Sequence, residues 1–99
     1  MDNKLPTTDS FIKVFENFFK VKFTQCESSN ILAYAKKADG LHVDILILYK
    51  AKARALTCYR YLGAGKLYGD LEKAESKGKW VNANLVKGDF NIKKYEYKL

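Results

Sequence analysis

The residues best suited to bind a ligand lie in the stretch from Lys50 to Tyr61. Three cations, Lys50, Lys52 and Arg54, alternate there with alanines, and the stretch contains no acid. An extended chain would point all three cations to one side. Rows of cations contact phosphate oxygens and release counterions, and small neighbours let a backbone approach closely. The stretch therefore predicts a surface for a polyanion. The alternative is a solvated turn whose lysines maintain solubility.

Five aromatic residues in the second half of the chain are candidates for stacking on unpaired bases, because cations lie close to them in sequence. They are Tyr59, Tyr61, Trp80, Tyr95 and Tyr97. Residues two apart share a face of a strand, whereas the adjacent Arg60 and Lys94 point the opposite way. The pattern thus predicts an aromatic surface and a separate cationic surface. Half-buried strand tyrosines with no ligand would give the same pattern.

The charge distribution along the chain favours an acidic or polyanionic partner. Residues 1–49 hold six lysines and six acids, whereas residues 50–99 hold twelve lysines and arginines and five acids. The net charge of +7 therefore arises entirely in the second half. The candidate contacts to a nucleic acid or an acidic protein are Lys50, Lys52, Arg54, Arg60, Lys66, Lys93 and Lys94.

The sequence Gly63-Ala64-Gly65-Lys66 precedes a predicted helix, where free amides attract anions. The glycine spacing of a P-loop is missing, and Leu67 stands where a magnesium-binding Ser or Thr is required. The sequence therefore argues against a nucleoside triphosphatase. Contact with an anion and a simple strand-to-helix turn both remain open.

No constellation of residues indicates catalysis or metal binding. His42, the only histidine, is followed by Asp44 on the same side of a predicted strand, but no nucleophile accompanies it. With Cys26 and Cys58 these residues show none of the close ligand pairs of zinc sites. We expect a protein that is not an enzyme and has no cofactor and no metal.

The elements that must position these residues follow from hydrophobic spacing. Phe11, Val14, Phe15 and Phe18 recur at helical spacing, which predicts a first helix over Phe11–Phe23. Alternating and β-favouring residues predict three strands, and Gly63 and Gly65 precede a second predicted helix. Turn residues at 87–89 predict a closing hairpin. The strands are expected at Ile31–Lys37, Leu41–Tyr49 and Arg54–Leu62, the second helix at Lys66–Lys77, and the hairpin strands at Trp80–Val86 and Phe90–Tyr97.

These elements predict the α+β class, in the order α-β-β-β-α-β-β, with an antiparallel sheet packed on the N-terminal helix. Ninety-nine residues suit one domain, residues 1–99, in which Met1–Pro6 and the last residue or two are expected to be mobile. The second strand is expected at the centre of the sheet, because its later half is apolar on both faces. Two cysteines, no signal-peptide pattern and no membrane-spanning run predict an intracellular (cytoplasmic) protein.

The function that best fits this pattern is a small, non-enzymatic basic module that binds nucleic acid through phosphate-backbone contacts. The alternative is a protein-interaction module or inhibitor whose basic face docks on an acidic protein, including one that itself handles nucleic acid. Neither a membrane nor a small-molecule substrate is indicated. The sequence leaves open the oligomeric state and the identity of the edge strands.

Overall fold

One antiparallel sheet of five strands, paired in chain order, forms the centre of the structure. The computed structural model describes residues 8–52 and 55–98, without the side chains of Thr8, Asp9 and Lys52. The segment Met1–Pro6, which is expected to be mobile, and Arg54 lie outside the described residues. The strands are β1 Thr24–Gln25, β2 Ile31–Asp39, β3 His42–Lys52, β4 Ala55–Tyr61 and β5 Ile92–Lys98.

Strand β3 lies at the centre of the sheet, as its two-sided apolar pattern predicts. Ile45 and Ile47 are fully buried on one face, and Leu46 and Leu48 are fully buried on the other. The strand continues to Lys52 and pairs there with Ala55 of β4, after a register shift beyond Tyr49. The strand therefore runs three residues past its predicted end at Tyr49.

The first helix, α1, spans Thr8–Phe19 and packs on one face of the sheet. Its buried side chains are Ile12, Phe15 and Phe19, whereas Phe18 is 64% exposed. The prediction that Phe18 belongs to the buried stripe is therefore wrong, because α1 is rotated so that Ile12 faces the sheet. We refer to this face as the α1 face.

Helix α1 ends four residues before the predicted Phe23 because the chain turns at Lys20. Lys20 has a positive φ of 59°, and the amide of Val21 donates to the carbonyl of Glu16. This bond and the left-handed residue are typical of a helix C-terminus, usually with glycine at the turn. The amide of Phe23 then donates to the Glu16 carboxylate, which fixes the exit of the chain.

A helical segment covers the opposite face of the sheet, which we call the β4–β5 connection face. It contains a 3₁₀ turn at Gly65–Leu67, helix α2 at Tyr68–Lys73, helix α3 at Lys77–Val81 and a π turn at Asn82–Val86. The buried side chains Leu71, Val81 and Leu85 pack there against Ile45 and Ile47. The chain is thus an α+β protein with helices on both faces of its sheet.

The predicted strand at Trp80–Val86 is wrong, because this segment is helical. The side chain of Ser76 accepts from the amide of Lys79 and starts α3. Val81 and Leu85, four residues apart, then face the core together. The same segment alternates polar and apolar residues, so its sequence fits both periods. Only the second predicted hairpin strand exists, and it pairs with β4.

The predicted single helix over Lys66–Lys77 is also divided. Ala74 has extended backbone angles, φ −66° and ψ 133°, and separates α2 from α3. The element order is therefore α-β-β-β-β-α-α-β, with the short β1 added before the three predicted strands.

Replacing Gly65 with alanine is expected to destabilise the protein by about 1–3 kcal/mol, because overpacking forces neighbours to move. A Cβ at Gly65 would collide with the side chain of Val43 and lie 2.8 Å from its carbonyl oxygen. Gly69 is the matched control, since a Cβ there meets nothing within 4 Å. Gly69→Ala should stabilise the protein by about 0.5–1 kcal/mol through helix propensity. Urea unfolding midpoints measure both, and equal effects would contradict the close approach at Gly65.

Candidate functional site

A groove of about 730 Å³ opens on the β4–β5 connection face of the sheet. We call it the sheet-end groove. Its described lining comes from β3, β4, β5 and the loop before β2, and from none of the described helices. The groove is thus the part of this sheet face that the helices leave uncovered. It is lined by Ser29, Asn30, Tyr49, Lys50, Ala51, Thr57, Tyr59, Lys94 and Glu96.

Strand pairing places an aromatic ring beside a cation in this groove. Tyr59 of β4 lies directly opposite Lys94 of β5 in the antiparallel register. Directly paired residues project to the same face of a sheet. Lys50, which is exposed on β3, also lines the groove. One tyrosine and two lysines from three strands therefore share one open surface.

The ring of Tyr59 is held in place by other tyrosines. Its centroid lies 5.3 Å from that of Tyr49, at an interplanar angle of 67°. The hydroxyls of Tyr49 and the fully buried Tyr61 form a hydrogen bond of 3.0 Å. Burial raises the pKa of Tyr49 and that of Tyr61, so both hydroxyls stay protonated at neutral pH. Tyr59 is only partly buried and presents a rigidly supported ring to the groove.

The charges that line the groove are unequal. Lys50 and Lys94 are the cations, and Glu96 is the single acid among the described lining residues. The ammonium of Lys94 lies 3.5 Å from the Glu96 carboxylate, and the two side chains are 55% and 44% exposed. Exposed pairs of this kind contribute at most about 1 kcal/mol. An anionic ligand can therefore compete with Glu96 for Lys94.

Arg60, a candidate contact in the sequence, is engaged inside the protein. Its Nε donates to Asp44 Oδ2 at 2.7 Å, and its second guanidinium nitrogen lies 3.1 Å from Asp39 Oδ2. The other oxygen of Asp44 accepts from the amide of Gly63 at 2.7 Å. The Arg60 side chain is only 11% exposed. These contacts join β2, β3, β4 and the turn after β4, which is a structural role.

The remaining candidates are spread over the molecule. Lys93 lies opposite Arg60 on the α1 face, and Lys66 lies in the 3₁₀ turn. Tyr61 is fully buried. The ring of Tyr95 packs 5.0 Å from that of Phe19, and that of Tyr97 lies 6.4 Å from Phe11. The Lys52 side chain and all of Arg54 lie outside the described residues, so the predicted row of three cations stays a prediction.

The structure therefore unites three of the predicted contacts, Lys50, Tyr59 and Lys94, in one groove. Sequence reasoning missed the lining residues Ser29, Asn30, Tyr49 and Thr57. Tyr49 is the last residue of the alternating pattern on β3 and, unlike Ile45 and Ile47 on the same face, it carries a polar hydroxyl. That hydroxyl was the one sign in the sequence that this face of β3 continues into an open surface.

The chain matches no known protein-family model, no curated protein and no solved structure. Among the described residues, none of the helices is both long enough and apolar enough to span a membrane.

Proposed function

We propose that the chain is a small, non-enzymatic module that binds single-stranded nucleic acid in the sheet-end groove. The observation that supports this most is the cross-strand pairing of Tyr59 with Lys94, with Lys50 lining the same groove. Aromatic rings beside cations on an open sheet face bind single strands without reading their sequence.

The chemistry of the groove suits a strand better than a duplex. The ammonium groups of Lys50 and Lys94 provide contacts for phosphates, and the Tyr59 ring provides a surface for one unstacked base. Asn30 and Thr57 add hydrogen-bonding groups in the same groove. The bases of a duplex are stacked inside it, so the Tyr59 ring would have no partner there.

Removal of the two groove lysines is expected to weaken binding and to reduce its dependence on salt. The assay is fluorescence anisotropy with a labelled oligothymidylate of about 15 nucleotides, near the upper end of the roughly 4- to 16-nucleotide sites of small single-strand-binding domains. The double variant Lys50→Ala, Lys94→Ala should bind about tenfold more weakly at low salt. It should also lose about 1.4 from the slope of log K against log salt, since each phosphate contact contributes about 0.7 on a single strand.

The matched control removes two exposed lysines elsewhere, Lys13 on α1 and Lys22 after it. Lys13→Ala, Lys22→Ala makes the same change in net charge but should retain most of the affinity and the slope. Equal losses in both double variants would contradict the groove and indicate a general charge effect. The single variant Lys50→Ala tests the groove without changing the edge strand β5, because Lys50 lies on β3.

Stacking is tested at Tyr59 with a conservative pair of variants. Tyr59→Ala should reduce affinity by about 5- to 100-fold, the range for loss of one stacked base, whereas Tyr59→Phe should leave it nearly unchanged. If the wild-type protein shows no binding at low salt, the nucleic-acid proposal is wrong. An acidic protein partner then becomes the better explanation of the charge, and co-purification from the native source would identify it.

A further inference from the structure

β5 is the longer of the two edge strands of the described sheet. β5 has seven residues and pairs only with β4, whereas β1 at the other edge has two residues. Six of the seven β5 residues are exposed. An exposed strand of this length offers a row of backbone donors and acceptors to another strand. We propose that two copies of the chain form a dimer by antiparallel pairing of their β5 strands.

The sequence of β5 is complementary to itself in one antiparallel register. With Tyr95 on the two-fold axis, Lys94 of each copy lies opposite Glu96 of the other, and all seven residues are paired. Two opposite-charge cross-strand pairs then stabilise the dimer. Moving the axis by one residue to either side would oppose Lys94 to Lys94 or Glu96 to Glu96. Lysines on an edge usually prevent pairing, but in this register Lys94 faces an acid, and Lys93 and Lys98 face Tyr97 and Ile92 rather than another lysine.

An exposed aromatic side chain beside the axis supports the same arrangement. Phe18 is 64% exposed, although its ring lies 5.7 Å from that of Tyr95. Tyr97, also on the α1 face, is 40% exposed. A two-fold axis through Tyr95 brings both copies of Phe18 close to the axis, where they bury apolar surface that one chain leaves in water. Such an isologous contact closes after two copies.

The dimer has a consequence for ligand binding, which rests on the proposed function. A two-fold axis through paired edge strands runs perpendicular to the sheet, so both sheet-end grooves face the same side. Across the strands, three strand spacings, about 14 Å, separate Tyr59 from its copy in the partner, with a further offset of about 7 Å along them. One strand of nucleic acid could then contact both grooves. Dimerisation itself is tested without nucleic acid, so its failure is separate from failure of nucleic-acid binding.

Analytical ultracentrifugation of the full chain at increasing concentration is the test. The wild-type protein should show a reversible monomer–dimer equilibrium. Lys94→Glu and Glu96→Lys should each raise the dissociation constant by about tenfold or more, since each turns two attractive pairs into repulsive ones. The double swap Lys94→Glu, Glu96→Lys restores the pairing and should return the constant to within about threefold of wild type.

The single variants also separate this register from general charge effects. Lys94→Glu lowers the net charge from +7 by two units, which by general repulsion alone would strengthen association. Phe18→Ser should weaken the dimer, and Lys13→Glu, away from the edge, should not. Circular dichroism checks that every variant is folded. A wild-type protein that stays monomeric at all soluble concentrations would overturn the proposal, as would a double swap that dimerises no better than the single variants.

Discussion

Replacing Asp44 with alanine is expected to destabilise the protein by about 3–5 kcal/mol, the cost of removing one partner of a buried ion pair. The Asp44 side chain is 2% exposed and accepts from Arg60 at 2.7 Å. Its other oxygen accepts from the amide of Gly63. The variant would leave a largely buried guanidinium and a backbone amide without their acceptor, and both must then be desolvated without compensation. The midpoint of urea unfolding measures this loss.

Asp39 provides the matched control, because it contacts the same guanidinium from the surface. Its side chain is 69% exposed, and it lies 3.1 Å from Arg60. Asp39→Ala should cost less than about 1 kcal/mol, as exposed pairs do. If Asp44→Ala destabilised the protein as little as Asp39→Ala, the position of the Arg60 side chain would not depend on Asp44. The exclusion of Arg60 from the ligand-binding residues would then have to be reconsidered.

Replacing Phe15 with alanine is expected to cost about 3–5 kcal/mol, the usual range for a buried phenylalanine. Phe15 is 4% exposed and packs in the core between α1 and the sheet. The cost combines lost transfer free energy with the cavity that remains, because the surrounding structure relaxes only partially. Urea unfolding of dilute protein, below the range where dimers form, is the appropriate measurement.

Phe18 is the control, because it lies on the same helix, three residues after Phe15. It is 64% exposed, and its ring lies 4.9 Å from that of Phe19 in an edge-to-face arrangement. Phe18→Ala should cost about 1–2 kcal/mol in the monomer, because the ring also contacts Tyr95 and the variant removes two aromatic pairs. A larger loss at Phe18 than at Phe15 would mean that α1 is rotated differently on the sheet.

The strands β2, β3 and β4 could be predicted because their residues alternate or form apolar runs that only a sheet accommodates. Ile45 to Leu48 are apolar at every position, which predicted a strand covered on both faces, and both helical layers are present. The rotation of α1 could not be predicted, since its many phenylalanines permit more than one buried stripe. The end of α1 before Lys20 could not be predicted either, because the residue that adopts the left-handed conformation there is not a glycine.

The predicted strand at Trp80–Val86 was wrong for a related reason, since alternation over seven residues also satisfies helical spacing at Val81 and Leu85. The core against which this segment packs decides between strand and helix. That core is formed by tertiary contacts, which the local sequence does not show. The candidate site shows the same limit. Adjacent residues do face opposite sides of a strand. Lys94 nevertheless lies beside Tyr59, which is 35 residues before it in the sequence, because the register of β4 and β5 pairs the two residues. Likewise, Arg60 looks free in sequence because Asp44 is distant from it.

The most direct test of the groove as the nucleic-acid site is an NMR titration of the ¹⁵N-labelled full chain with oligothymidylate. We predict that backbone amide shifts change at Lys50, Tyr59, Lys94 and their groove neighbours. The amides of α1, which packs on the opposite face of the sheet, should remain nearly unchanged. Shifts concentrated on α1 or on the helical segment at 65–86, or no shifts at low salt, would contradict the account.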